Sequence, residues 1–161
     1  MIMGHFVEAQ ALLPDTVPQT SAEWVAFHIR GMIYLKQDRL DEALDIFTKG
    51  SLQTPFYREQ KYFENALAAT KIRMKRFQEA VKIVRGAEGA IAHLLQIHSY
   101  SELGLRDAAA TAYAAVNDNL PPPIVMLRNE LGARYNITGR RAAHNAGWIF
   151  EKEMEVLLQA A

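Results

Sequence analysis

FHIRGMIYLKQDRLDEALDIFTKGSLQTP, residues 27–55, is the stretch on which the fold turns. Gly31 and Ala43 are small, which suits two antiparallel helices crossing closely, and Tyr34 and Phe47 are large enough to fill the space between helices. Asp38 and Arg39 mark a turn between them. Pro55 lacks an N–H donor and is predicted to end the second helix. Just upstream, Thr20 and Glu23 have capping-box spacing, so the first helix is predicted to start near Ser21.

The same frame recurs along the chain. Leu67, Ala68, Ala80 and Val84 repeat it around a turn at Lys75 and Arg76. Tyr100, Gly104, Ala109, Tyr113 and Pro121 repeat it again, and so do Leu131, Gly132, Tyr135, Gly139 and Trp148. His144 takes the small-residue position in that last copy and should loosen its crossing. Ala43, Ala80, Ala109 and His144 are 37, 29 and 35 residues apart. The short gap predicts a shortened second hairpin with a tight connection at Gly86 and Gly89.

Residues 27–55 resemble a tetratricopeptide repeat, whose pattern is W-x2-L-G-x2-Y, then A-x3-F, then P, at a period of ~34 residues. Phe27 stands for the Trp and Arg30 for the Leu, and the other positions agree. The resemblance implies an all-α fold, a right-handed α-solenoid of antiparallel hairpins forming a single domain over 1–161. Its repeats would be 24–57, 61–89, 90–123 and 125–158, preceded by an N-terminal helix or half-repeat over 1–20. In that preceding segment, Gly4, Phe6, Glu8, Ala9 and Leu13 read as a second helix without its first, closed by Pro14 and Pro18.

The resemblance further implies that the first helix of each repeat lines a concave groove. Residues one turn apart share a helix face. In this frame the groove residues are Val25, His28, Met32, Leu35 and Lys36; Tyr62, Asn65, Ala69, Ile72 and Arg73; Ile91, Leu94, His98, Ser101 and Glu102; and Met126, Asn129, Ala133 and Asn136. The site expected from these is His28, Met32, Lys36, Tyr62, Asn65, Ala69, Arg73, Leu94, His98 and Asn129. Side-chain amides there could satisfy the backbone of an extended peptide, and Met suits an adaptable surface. Some family members bind a C-terminal carboxylate through Lys, Asn and Arg on successive first helices. His28 and Met32 stand where that pattern needs Lys and Asn, so binding of that type is not expected.

Composition narrows the function classes. The 161 residues carry 18 Lys plus Arg and 18 Asp plus Glu, which argues against bulk nucleic-acid binding. Half the chain is apolar and it has no cysteine, so disulfides and thiolate metal sites are excluded. MIMGHFVEAQALLP has no basic start, and Glu8 interrupts its apolar run, so it does not read as a signal peptide. No stretch reaches the ~20 apolar residues of a membrane span, and a cytoplasmic protein is expected. His5, His28, His93, His98 and His144 lack ligand spacing, and no catalytic triad or phosphate loop is present, so neither an enzyme, a cofactor nor a metal is expected. Asn136-Ile137-Thr138 is a sequon by pattern but reads as a helix end and turn.

The expected partner is another protein, offering a peptide or a helix. The alternatives are a structural or self-associating segment of a larger assembly, or a small secretion chaperone. Self-association would use the C-terminal helix, where Ile149, Phe150, Met154, Leu157 and Leu158 form an apolar face. Residues 58–85 hold eight basic against three acidic residues, which reads as a solvated face or as steering for an acidic partner.

Overall fold

The computed structural model describes residues 17–137 and 156–157. The described residues form seven α-helices and no strand: α1 (Ser21–Lys36), α2 (Leu40–Gln53), α3 (Tyr57–Arg73), α4 (Phe77–Val84), α5 (Ala90–Glu102), α6 (Arg106–Ala115) and α7 (Pro122–Arg134). Val156 and Leu157 are also helical. The N-terminal half-repeat, Gly139, His144, Trp148 and most of the apolar C-terminal face lie outside the described residues. None of the described helices is long and apolar enough to cross a membrane.

α1 begins where its cap predicts. The Thr20 hydroxyl oxygen accepts the Glu23 N–H at 3.2 Å, and the Glu23 carboxylate accepts the Gln19 N–H at 2.7 Å. One of the donors that a helix start leaves open is thereby satisfied, and the residue before the cap is tied to the first turn. α2 stops at Gln53, with Thr54 extended (ψ 129°), the backbone that a following proline imposes.

Four of the described helix ends close by one device. A residue in the left-handed region follows the helix: Asp38 (φ 60°), Lys75 (φ 59°), Gly104 (φ 73°) and Asn136 (φ 57°). The next residue's N–H then reaches back five positions, as Arg39 to Tyr34 O (2.9 Å), Arg76 to Lys71 O (2.8 Å), Leu105 to Tyr100 O (2.8 Å) and Ile137 to Gly132 O (2.9 Å). This is the Schellman closure of a helix end. It gives a structural register in which Tyr34, Lys71, Tyr100 and Gly132 are equivalent.

That register corrects the fourth copy. The left-handed residue after α7 is Asn136, because Asn also tolerates this conformation and the helix ends there. Gly132 therefore matches Tyr34, not Gly31. As expected, Asn136 is a helix end and turn.

The second hairpin is short, as the 29-residue gap requires. α4 has eight residues, and Gly86 (φ 74°) and Gly89 (φ 106°) carry the connection to α5. Buried Gln96 holds it, its amide donating to Val84 O at 2.6 Å and Ala87 O at 3.2 Å.

Successive helices from α1 to α6 pack on one another, and α1 also touches α3, α3 touches α5, and α5 touches α7. Gly31 allows the closest approach in the first hairpin. A Cβ there would stand 2.7 Å from Ile46 Cγ2 and collide with the Phe47 ring. Two apolar clusters result. One gathers Trp24, Leu35, Phe47, Phe63, Ala80 and Val84 with others of α1–α4, and the second gathers Leu94, Ile97, Ala112, Leu127 and Leu131.

Candidate functional site

The faces of α1, α3, α5 and α7 can be compared by counting back from each left-handed turn residue. Ten positions back lie His28, Asn65, Leu94 and Met126. Six back lie Met32, Ala69, His98 and Glu130. Two back lie Lys36, Arg73, Glu102 and Arg134. The expected residues of the first three helices are thus in equivalent places. In the fourth, Met126 and Glu130 replace Asn129.

Asn129 faces another way. Its side-chain oxygen accepts from Tyr113 Oη at 3.3 Å and from Arg128 at 2.8 and 3.1 Å. Arg128 also donates to Val116 O and Asp118, the latter at 2.6 Å, and its guanidinium lies 5.0 Å from the Tyr113 ring. Asn129 thus belongs to the network that ties α7 to the end of α6.

The other expected residues divide by burial. His28, Met32, Ala69, Leu94 and His98 are buried, with Met32 only 1% exposed, so they present almost no surface in this conformation. Tyr62 and Asn65 are half-buried on α3, and their side chains make no hydrogen bond with described residues. Lys36 and Arg73 are exposed at the ends of α1 and α3, where Arg73 lies 3.4 Å from the Asp38 carboxylate.

His28 is enclosed by rings: Phe47, Tyr62 and Phe63 lie 5.6, 6.0 and 5.3 Å away. Burial pushes its pKa from 6.5 down to about 4. The Tyr62 backbone opposes this but lies outside hydrogen-bond geometry, so both ring nitrogens lack a partner among the described residues. His98 sits at the α5–α7 contact, 5.7 Å from the Tyr135 ring and 4.0 Å from the Glu102 carboxylate. That carboxylate also accepts from Tyr135 Oη and lies 3.8 Å from Arg134.

Five of the eight basic residues of 58–85 sit in ion pairs, but of the acids in those pairs only Asp38 comes from outside the segment, so most of the basic excess remains. Arg58 pairs with Glu59, Lys61 with Glu64, Lys71 and Arg76 with Glu79, and Arg73 with Asp38. Lys75, Lys82 and Arg85 remain exposed. Glu59 is nearly enclosed at the start of α3. The Ser21 hydroxyl donates to it at 2.5 Å, which together with Arg58 holds its pKa below the usual range.

Sequence reasoning missed Glu59, Gln96 and Arg128. None falls on a pattern position, and each acts through a partner distant in sequence. It also missed an open depression of about 520 Å³ beside the first hairpin, where Phe27, Tyr34 and Ile46 are rimmed by Asp41, Glu42 and Asp45. Among the described residues, no group of three His, Asp or Glu is placed to hold a metal. No family model, curated sequence or solved structure is similar enough to this chain to count as a match.

Proposed function

We propose that the chain is a tetratricopeptide-like superhelix that holds a peptide or helix of another protein on the face formed by its first helices. The observation that carries this reading is the fourfold recurrence of one helix-end closure, with α1, α3, α5 and α7 in contact in order. Repeats of this kind build one extended face from many short units. The scaffold is set before binding, so little ordering entropy is lost on its side. Tyr62, Asn65 and Arg73 on α3 are the accessible polar contacts, and Lys36 borders them. The function is drawn from the surface and its repeat, not from catalytic groups.

The test is affinity capture from native lysate with wild type and with the triple variant Tyr62→Ala, Asn65→Ala, Arg73→Ala. A partner enriched by wild type and lost by the folded variant supports the reading. Equal recovery by both baits overturns the assignment to α3.

A second reading, a self-associating segment of an assembly, is favoured by one feature. Leu52 and Tyr57 are 80% and 74% exposed on either side of Pro55, an apolar patch on the α2–α3 connection. Mass that rises with concentration, and stops rising on Leu52→Ser with Tyr57→Ser, would favour it over groove binding.

A further inference from the structure

Beyond the seven helices and their caps, the buried apolar residues described are Val156 and Leu157, 3% and 4% exposed. They are neighbours in sequence but belong to different clusters. Val156 packs with Leu94, Ile97, Leu127 and Leu131, and Leu157 belongs with Met32, Leu35, Ala69 and Ile72. Among the seven helices, α5 alone contributes to both clusters, through Leu95 on one side and Leu94 and Ile97 on the other, and Ile91 packs against both. Like α5, the stretch at Val156–Leu157 therefore contributes to both clusters.

Met32, Ala69 and Leu94 of the first helices are 1%, 3% and 2% exposed. Second helices supply part of the burial on this face, as Phe47 of α2 does beside His28. Val156 and Leu157 share clusters with these same residues. The sequence just before them carries Glu151, Glu153 and Glu155 against one Lys152, so the stretch is acidic by composition. The ends of the first helices beside it carry Lys36, Arg73 and Arg134.

We propose that the first-helix face is a receptor for an acidic helical segment, and that its resident occupant is this chain's own stretch around Val156–Leu157. An external partner would then be a helix of the same chemistry that must displace the resident one, so removal of the resident stretch raises partner affinity. This rests on the partner-binding reading above for its second half, but not for its first.

The chain offers an internal reporter. Met32 is 1% exposed and Met126 is 52% exposed, so peroxide should oxidise Met126 first, and peptide mass mapping reads both in one sample. In the full chain carrying Val156→Asp and Leu157→Asp, oxidation of Met32 relative to Met126 should rise about tenfold while the helical circular dichroism is kept. Excess synthetic peptide of residues 147–161 should restore the protection. Unchanged protection of Met32 in the folded variant overturns the proposal. If the double variant loses its helical signal, Leu157→Ser alone is read in the same way, and unchanged protection there overturns it too. Exposure of Met32 without a gain in captured partner keeps the resident seat and sinks partner binding. Protection unchanged, with the α3 triple variant still losing its partner, does the reverse.

Discussion

Around Phe63 the rings of Trp24, Phe27 and His28 gather at 5.9, 6.1 and 5.3 Å. Around Arg128, by contrast, the backbone of Val116, the carboxylate of Asp118 and the amide of Asn129 gather on one guanidinium. The first half of the molecule is joined by ring packing, and two of its buried polar groups, Trp24 Nε1 and the His28 ring, lack partners among the described residues. The second half has a core of aliphatic and alanine side chains, and polar side chains hold its connections: Gln96 at the α4–α5 link and Arg128 at the α6–α7 link. Ring packing tolerates unsatisfied groups because its gain scales with apolar area. Polar stitching works only when every atom is matched, and Arg128 is accordingly engaged through Nε, Nη1 and Nη2.

The contrast breaks most visibly at Phe47, which is fully buried and fills the space that Gly31 opens. Phe47→Ala should cost about 3–5 kcal/mol in urea unfolding, since the rings beside it cannot collapse onto the void. A cost below about 1 kcal/mol would show that the first half does not rest on ring packing.

His28 sharpens the comparison through pH. Its pKa is 6.5 when unfolded and about 4 in the fold. The folded value is the lower one, so the unfolded chain takes up the proton first. Its contribution is complete above pH 6.5 and lost as pH falls toward 4, a change of about 3 kcal/mol. Glu59 is also depressed, and its contribution begins to fade only below about 4.5. Among the described residues, the loss between pH 6.5 and 4.5 therefore belongs to His28. Unfolding free energies at pH 7.5 and pH 4.5 should differ clearly in wild type and far less in His28→Leu. An equal fall in both would remove His28 from the account.

How much of this was legible follows from where each interaction lies. Gly31, Ala43 and Phe47 are close in sequence and obey a volume rule, so the first hairpin could be read at once. The short second hairpin was legible from a spacing, because a missing turn must be made up by glycines. In the fourth copy, sequence pairs Gly132 with Gly31, because its spacing to Tyr135 copies that of Gly31 to Tyr34, while the turn at Asn136 sets a different register. Positions such as Met32 and Leu94 were legible as a helix face but not as a covered one. Part of that burial involves Val156 and Leu157, which share their clusters from more than fifty positions away. Arg128 and Gln96 left no periodic trace, since each is held in part by backbone carbonyls, which every residue has.

The two halves also differ at their turns, and this carries the smallest effect. The second half closes on Gly104 and Asn136, residues that enter the left-handed region at little cost. The first half closes on Asp38 and Lys75. Asp38 gains an ion pair with Arg73, while Lys75 is exposed and has a β-carbon that crowds its own carbonyl in this conformation. A non-glycine residue there costs roughly 1–2 kcal/mol, and glycine returns part of that as unfolded-state entropy. Lys75→Gly should therefore raise the unfolding free energy by about 0.5–1 kcal/mol, with the same denaturant slope. The equivalent change Asn136→Gly should be close to neutral, because Asn already tolerates the conformation. A destabilised Lys75→Gly would mean that the Lys75 side chain supports the first half in a way its exposure conceals, and that the strain at this turn is smaller than its φ of 59° implies.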